Sequence, residues 1–290
     1  MKRVPALGLV LLKLLFARSL SHAETLPRES PERLGAVLEV LKRSSTGRGL
    51  IDSARTLWKV DSDRGLLEFL RWGRASRTDA VLIRHFNPAT GSEEREREVS
   101  ISLRSFQRID EAVLDLAHEL SHAVSKPIWD PYDPKLTAGD YIFSSLEGPG
   151  GEVDAVVTEC RVALELSALA DAIDSSRCRP YLSASGGVDR ESVRADFYRV
   201  GNWRKKLVAR LGEEARRFPL LSPKPAKLFS STGHAPYPVS LLEEFEQINS
   251  AACENSRIRL RSFAARAPAG GSSGAGSERS VRDFLRLRCR

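Results

Sequence analysis

The segment IDEAVLDLAHELSHAV, residues 109–124, decides both the fold and the chemistry predicted for this chain. Its apolar residues recur at helical spacing, and Pro127 follows as a helix stop. These apolar residues are Val113, Leu116, Ala117, Leu120, Ala123 and Val124. Because they form a stripe along one face, Asp115, His118 and His122 project from a different face. The segment therefore predicts an amphipathic helix that carries two histidines on its polar side.

The two histidines stand four residues apart, so both imidazoles can bind one ion. Zinc suits neutral imidazole nitrogens at about 2.0–2.1 Å, and the intervening Glu119 can accept a proton from water that attacks a polarised carbonyl. The competing interpretation is two surface histidines and an acid on an ordinary helix. With five histidines in the chain, a chance His-Glu-x-x-His is expected in fewer than about one such sequence in a hundred, which favours the metal.

A catalytic zinc ion needs a third protein ligand and one open position. One known arrangement places a Gly and a third His just downstream, but Ser125 and Ile128 occupy those places. The other arrangement takes a carboxylate from a second helix, and Glu152 lies at the first turn of a helical stretch over residues 152–173. Glu159, two turns along the same face, is the fallback ligand. The alternative role for Glu152 is an acid that stabilises a helix N-terminus.

Small residues surround the candidate third ligand. Gly150 and Gly151 precede it and allow close backbone approach. Ala155 follows one turn later and is small enough to let two helices meet closely. We therefore expect the two helices to pack against each other at this point.

These residues resemble the gluzincin metallopeptidases. His118-Glu-Leu-Ser-His122 is followed, after 29 residues, by Glu152-Val-Asp-Ala155, and the pattern is most similar to minimal members with Glu-x-x-Ala on the second helix. The resemblance covers roughly residues 106–169. It implies a mainly helical α+β fold of zincin type, with a small antiparallel sheet or hairpin beside the active-site helix.

The resemblance also implies roles for individual residues. His118, His122 and Glu152 are the ligands of one zinc ion, and Glu119 is the general base. An edge strand beside the site binds an extended peptide by strand addition, and the hairpin over residues 80–103 can supply it. The partner is thus a peptide or protein substrate.

The chain departs from the family where many gluzincins have an Asp one turn after the third ligand. That Asp orients a zinc-binding histidine, whereas this chain has Val156. Asp115 or Asp154 is the candidate replacement.

Such sites also need a side chain that stabilises the oxyanion. The candidates are His234, Tyr237, Tyr141 and Tyr198, each of which competes with an ordinary packing or loop role. His234, within Ser-Thr-Gly-His-Ala-Pro-Tyr, is the most suggestive chemically. His85, on a predicted strand, is interpreted as structural.

Residues 1–23 are typical of a signal peptide, with a positive start, a short apolar core and small residues before a cleavage site after Ala23. The apolar core over residues 6–17 is shorter than the roughly 20 residues that span a bilayer. Lys13 interrupts it, which leaves an organelle transit peptide as an alternative. We expect a secreted or periplasmic protein without stable membrane insertion after cleavage.

Cleavage there removes four positive charges, so the net charge falls from +7 to about +3. A balance this small gives no reason to invoke nucleic acid. The oligomeric state is left open by the sequence.

The four cysteines favour disulfides in an exported chain. If the helix from residue 152 continues to residue 173, its end lies about 20 Å from Cys160, whereas the residues left before Cys178 reach back about 17 Å at most. The Cys160–Cys178 pair is therefore disfavoured and Cys160 is expected to be a buried free thiol. Cys253–Cys289 is the preferred pair.

The remaining pattern predicts helices over residues 31–43, 50–60, 65–72, 192–217 and part of 241–262, with a break at Gly47 and Gly49 and strands over 79–86 and 98–103. The expected organisation is a signal peptide (1–23), N-terminal helices and a β-hairpin (24–104), a metallopeptidase core with C-terminal helices (105–265), a flexible linker (266–278) and a basic tail (279–290).

The sequence thus predicts an exported zinc metallopeptidase. The main alternative is a catalytically inactive, zinc-containing binding or scaffold protein of the cell envelope, because no oxyanion donor is obvious. A third hypothesis is a disulfide-linked interaction module whose histidines bind no metal.

Overall fold

The computed structural model describes residues 24–86, 93–126, 129–169, 173–230, 234–264 and 274–289. The predicted signal peptide and residues 265–273, most of the predicted linker, lie outside them. The chain forms two compact units. The first consists of Met1–Ala80, Val99–Lys126 and Glu147–Ala195, and the second of Val81–Glu98, Pro127–Leu146 and Asp196–Arg290, each in its described part.

The helices and strands follow in chain order. The helices are α1 Pro31–Leu41, α2 Ser45–Trp58, α3 Asp63–Leu67, α4 Ile109–Ser125, α5 Ala138–Leu146, α6 Glu152–Leu169, α7 Arg190–Phe197, α8 Arg204–Leu211, α9 Tyr237–Ala264 and α10 Gly274–Arg288. The strands are β1 Leu70–Gly73, β2 Arg77–Phe86 and β3 Glu93–Arg104. Short 3-10 segments cover Ser176–Tyr181, Gly201–Trp203 and Gly212–Arg217.

This architecture confirms the predicted α+β, mainly helical fold. The sheet is mixed rather than antiparallel, with the order β1-β3-β2. Strand β1 pairs in parallel with β3, and Leu70 lies opposite Ile101. The helix predicted over residues 65–72 is therefore wrong in its second half. Helical spacing of apolar residues in that short segment could not reveal a strand partner about thirty residues away.

Two further boundaries differ from the sequence prediction. Helix α2 begins at Ser45, where the Ser44 side chain accepts from the amide of Gly47, so the two glycines lie inside the helix rather than in a break. A Cβ at Gly47 would lie 2.2 Å from the Leu41 carbonyl oxygen, so this glycine permits close approach to the end of α1. The stretch predicted as one helix over 192–217 is interrupted at Gly201, whose φ is +55°.

The core of the first unit surrounds α4, which packs against α1, α2 and α6. The predicted apolar stripe is buried except for Val124, which is partly exposed, and Ala112 and Leu114 on other sides of the helix are buried too. The polar face is not solvated either, because His122 and Glu119 are only 8% and 7% exposed. Helix α4 is thus a central helix with ionisable groups inside the protein, which requires partners for those groups.

In the second unit α5 and α10 each pack against α9. Ala252, Cys253 and Phe284 form a buried cluster. Most of the predicted basic tail lies in helix α10, which begins at Gly274 and so also includes the last residues of the predicted linker. This amphipathic helix packs against α9.

Both pairs of cysteines form disulfides. Cys253–Cys289 confirms the preferred pair. Cys160–Cys178 was disfavoured and is nevertheless formed, with its Cα atoms 5.4 Å apart, so Cys160 is not a free thiol. The prediction was wrong because α6 ends at Leu169. The helix then rises only about 13 Å beyond Cys160, and the nine residues that remain reach about 30 Å.

The two disulfides indicate an oxidising, extracellular type of environment. Among the helices in the described residues, none has both the length and the apolar character needed to cross a bilayer.

The carboxylate of Glu165 connects α6 to the start of α2. Its Oε2 accepts from the Ser44 hydroxyl at 2.6 Å and the Thr46 amide at 3.0 Å, and its Oε1 accepts from the Thr46 hydroxyl at 2.7 Å. Burial by itself would raise the pKa of Glu165, but these hydrogen bonds outweigh it and lower the pKa from 4.5 to about 2. The folded state thus favours the ionised carboxylate.

We predict that Glu165→Gln lowers the free energy of unfolding by about 1 kcal/mol at neutral pH, since charge-assisted hydrogen bonds are lost at a partly exposed site. Because the folded pKa is depressed, this stabilisation is present above pH 4.5 and is lost as the pH falls towards 2. Urea unfolding of both proteins across this range measures the difference. The exposed Glu68→Gln serves as control, and a wild-type advantage that persists unchanged at pH 2 would contradict the prediction.

Candidate metal centre

Two packed helices bring the predicted ligands together. His118 and His122 lie one turn apart on α4, and Glu152 is the first residue of α6. Each of the three side chains offers a ligand atom, and these atoms all lie within 4.8 Å of one another. The group can therefore hold a metal ion.

Two of the separations, each from one imidazole to one oxygen of Glu152, are close to those around a small tetrahedral ion. His118 Nε2 lies 3.4 Å from Glu152 Oε2, and His122 Nε2 lies 3.6 Å from Glu152 Oε1. Bonds of about 2.0–2.1 Å in tetrahedral geometry place ligand atoms about 3.3 Å apart. Glu152 Oε2 is also buried without a hydrogen-bond partner among the described residues. Since a buried polar atom normally has a partner, this oxygen fits a metal ligand.

The other nitrogen of each imidazole is fixed by an acceptor. His118 Nδ1 donates to Glu159 Oε2 at 3.1 Å, and His122 Nδ1 donates to the Gly150 carbonyl at 2.7 Å. A carboxylate and a carbonyl only accept, so the hydrogen is on Nδ1 in both rings. The Nε2 atom of each ring, which faces Glu152, is then the one that can bind a metal ion once it carries no proton.

The charges of neighbouring side chains strongly affect the pKa values of His118 and Glu152. Burial opposes protonation of His118, but hydrogen bonds and attraction from Glu152 and Glu159 outweigh it and raise the pKa of His118 well above its ordinary value. Burial would raise the pKa of Glu152, but the two imidazoles hold it well below its ordinary value. Glu152 is thus anionic at neutral pH, as a cation ligand must be.

Glu119, the predicted general base, directly follows His118 on α4, and a residue of β2 fixes its side chain. The Thr78 hydroxyl donates to Glu119 Oε2 at 2.8 Å and also lies 2.8 Å from the Glu119 carbonyl oxygen. Burial raises the pKa of the Glu119 carboxyl, an effect that the two histidines and the Thr78 hydrogen bond partly offset. A buried carboxylate with one fixed oxygen and a raised pKa is suited to accept a proton.

Gly150 confirms the expected close approach between the two ligand helices. Its φ is +64°, and an added Cβ would lie 2.6 Å from the Lys126 amide nitrogen and 2.8 Å from Ser125 Cβ. Its carbonyl is the acceptor for His122, as described above. The sequence suggested that glycine was needed here, but not that its carbonyl fixes a ligand.

The carboxylates that were considered for orienting a ligand have other partners. Asp115 accepts from Ser76 and pairs with Arg177, and Asp154 accepts from the Gly150 amide and pairs with Arg190. Glu159, predicted as the fallback metal ligand, contacts His118 through Nδ1 and so takes the orienting position instead.

The predicted oxyanion-stabilising residues all belong to the second unit. Buried Tyr141 lies 4.9 Å from the Trp129 ring, Tyr237 lies edge-on to Phe197 at 4.9 Å, and exposed His234 has a φ of +51°. Tyr198 is fully buried. His85 is an exposed residue of β2, 3.8 Å from Glu96. The oxyanion-stabilising role of Tyr141, Tyr198, His234 and Tyr237 stays a prediction, as does the structural role of His85.

Sequence reasoning missed Thr78 and Arg177. Thr78 is separated from Glu119 by 41 residues, and Arg177 from Asp115 by 62. Neither residue belongs to a motif, so no signal in the sequence pointed to them.

Comparisons with protein-family models, with curated proteins and with solved structures gave no match for this chain. The gluzincin resemblance therefore depends on the motif residues and their geometry alone.

We predict that Gly150→Ala weakens zinc binding about tenfold or more, because the added methyl displaces the carbonyl that orients His122. Competition of the metal-depleted protein with a chromogenic chelator measures the affinity. Gly186→Ala is a matched control, since Gly186 also has a positive φ of +81° but open space around it. Equal affinities in the two variants would show that close approach at Gly150 does not shape the site.

Proposed function

We propose that the chain is an exported zinc-dependent metallopeptidase. His118, His122 and Glu152 hold one zinc ion, and Glu119 is the general base. One observation supports this above the others. The Nε2 atoms of two imidazoles lie 3.4 and 3.6 Å from the partly buried carboxylate of Glu152, while both Nδ1 atoms donate to acceptors.

The donor set favours zinc with an open coordination position. Two imidazoles and one carboxylate leave the fourth position of a tetrahedral ion free, as in catalytic rather than structural zinc sites. A zinc ion bound there supplies Lewis acidity to a water molecule and to the carbonyl of a peptide bond.

Glu119 supplies the proton transfers. Its carboxylate takes the proton from the attacking water and returns it to the leaving amine. Thr78 occupies Oε2 and fixes the plane of the carboxylate, which leaves Oε1 for this exchange. Glu119 directly follows His118 on the rigid helix α4, and the helix therefore keeps Glu119 beside the ligand group.

The peptide substrate is proposed to add to the edge of the sheet. The order β1-β3-β2 leaves β2 as an edge strand, and Thr78 at its start contacts Glu119. An extended peptide that pairs with the first residues of β2 would pass beside the general base. Main-chain pairing of this kind binds peptides with modest sequence preference.

The proposal also includes export of the protein. The two disulfides agree with an oxidising environment. The proposed route is a signal peptide over residues 1–23 that is cleaved after Ala23, which delivers the protein to the periplasm or the exterior.

A zinc-containing scaffold without turnover is the second candidate. It is favoured by the packing of Tyr141 and Tyr237 against aromatic rings in the second unit, which leaves no assigned oxyanion donor. Cleavage of a diverse peptide library that stops when a chelator is added would reject this candidate.

We predict that Glu119→Gln lowers peptide hydrolysis by about a hundredfold to ten-thousandfold, the usual contribution of a general base. Zinc content should stay at the wild-type level, because Glu119 is not a ligand. Library cleavage and metal analysis of the same preparations measure both quantities.

The control for this variant is Glu111→Gln, which changes a half-exposed glutamate in the first turn of the same helix. It should retain wild-type activity. Full activity in Glu119→Gln would rule out the proposed mechanism.

A further inference from the structure

Arg177 connects the two helices that carry the proposed ligands. Its Nε lies 2.6 Å from Glu159 Oε1 on α6, and its NH1 lies 3.0 Å from Asp115 Oδ1 on α4. Asp115 lies about one turn before His118 on the same helix. A planar guanidinium presents its donors in a fixed fork, so one side chain joins α4 and α6 at this level.

Glu159 passes this constraint to the metal centre. Its two carboxylate oxygens have different partners, since Oε1 accepts from Arg177 and Oε2 accepts from His118 Nδ1. With both oxygens engaged, the carboxylate cannot rotate without breaking a hydrogen bond. The direction of the His118 ring, and hence of its Nε2 lone pair, follows from the position of Arg177.

The Cys160–Cys178 disulfide lies directly beside this ion pair. Cys160 follows Glu159 in the sequence and Cys178 follows Arg177, so the covalent bond joins the neighbours of the two charged residues. Both cysteines are at most 1% exposed. In the 3-10 segment Ser176–Tyr181, the only other buried residue is Tyr181. The disulfide is thus a principal anchor of this segment.

The ion pair needs such an anchor. The Arg177 side chain is 40% exposed, and ion pairs at exposed positions are weak and screened by salt. A covalent bond at the next residue holds the Arg177 backbone beside Glu159, so that only the rotamers of the side chain must become ordered.

We propose that Arg177 is a positioning residue of the metal centre, fixed by the Cys160–Cys178 disulfide and acting on His118 through Glu159. The inference rests on the proposed function, because it concerns the affinity and geometry of the same zinc site. Arg177 touches neither the ion nor the substrate. Its effect is on how well the ligands are arranged before an ion arrives.

The first test is the zinc affinity of metal-depleted Arg177→Ala, measured by competition with a chromogenic chelator. We expect the dissociation constant to rise about tenfold, as for other residues that orient a ligand, and Arg177→Lys to recover only part of the loss. Arg179→Ala, an exposed arginine in the same 3-10 segment, is the matched control and should bind zinc like the wild type.

The second test removes the anchor. Cys160→Ser/Cys178→Ser should weaken zinc binding to a similar extent, and adding Arg177→Ala should cause little further loss, since both changes disrupt one unit. Serine is used because free thiols here would join Glu159 in a second group able to hold a metal. Cys253→Ser/Cys289→Ser removes the other disulfide and should leave zinc affinity unchanged.

A spectroscopic measurement separates positioning from general stability. Cobalt substituted at the site reports ligand geometry through its visible absorption, which should change in Arg177→Ala and not in Arg179→Ala. Should the double serine variant fail to fold, the affinities and spectra of the arginine variants still decide the question.

The possible failures are distinguishable. Wild-type protein that binds no zinc would overturn the proposed function, and the inference with it. Wild-type protein that binds zinc tightly, together with an Arg177→Ala variant of equal affinity and identical cobalt spectrum, would overturn the inference alone.

Discussion

The close contact between the end of α4 and the turn before α6 is the constraint on which the remaining structure of the site depends. Gly150 lets the two backbones meet, since any side chain there would collide with Ser125 and Lys126. This contact places Glu152 opposite the two histidines and aims the Gly150 carbonyl at His122. Packing among the apolar residues of α4 and α6 supplies the stability, whereas the glycine supplies the distance.

The ionisable residues inside the first unit are costly to bury, which is itself informative. Glu119, His122 and Glu159 are each less than a tenth exposed, and an apolar core of the same shape would often be at least as stable. Each of these three side chains makes at least one hydrogen bond, whereas Glu152 Oε2 has no partner among the described residues. The nearest ring nitrogen to this oxygen that the structure gives is His118 Nε2, at 3.4 Å, so a cation between them would give both atoms a partner.

Local pattern predicted the helix α4, the helical start at Glu152 and the grouping of His118, His122 and Glu152, because a motif within one helix turn and a helix N-terminus are properties of neighbouring residues. The same reasoning failed for β1, which exists only through its pairing with β3, and for Cys160–Cys178, because the end of α6 was placed too late. It did not reveal that Glu159 contacts the Nδ1 atom of His118. The separation of the two helices determines which ring nitrogen of His118 Glu159 contacts. The spacing of residues along one helix gives no information about that separation.

We expect three neighbouring features to influence one another energetically: the Cys160–Cys178 disulfide, the Arg177–Glu159 ion pair and the proposed zinc site. A crosslink across 18 residues removes about 3 kcal/mol of conformational freedom from the unfolded chain. The crosslink joins α6 to the segment that carries Arg177, and packing joins α6 to α4. We therefore expect the helix pair to form before an ion binds, unlike a zinc finger, in which metal binding itself drives folding. Metal binding then does not have to order the chain. Binding would instead add to stability by mass action, and under our proposal the ligand geometry is set by packing, Arg177 and the crosslink rather than by the ion.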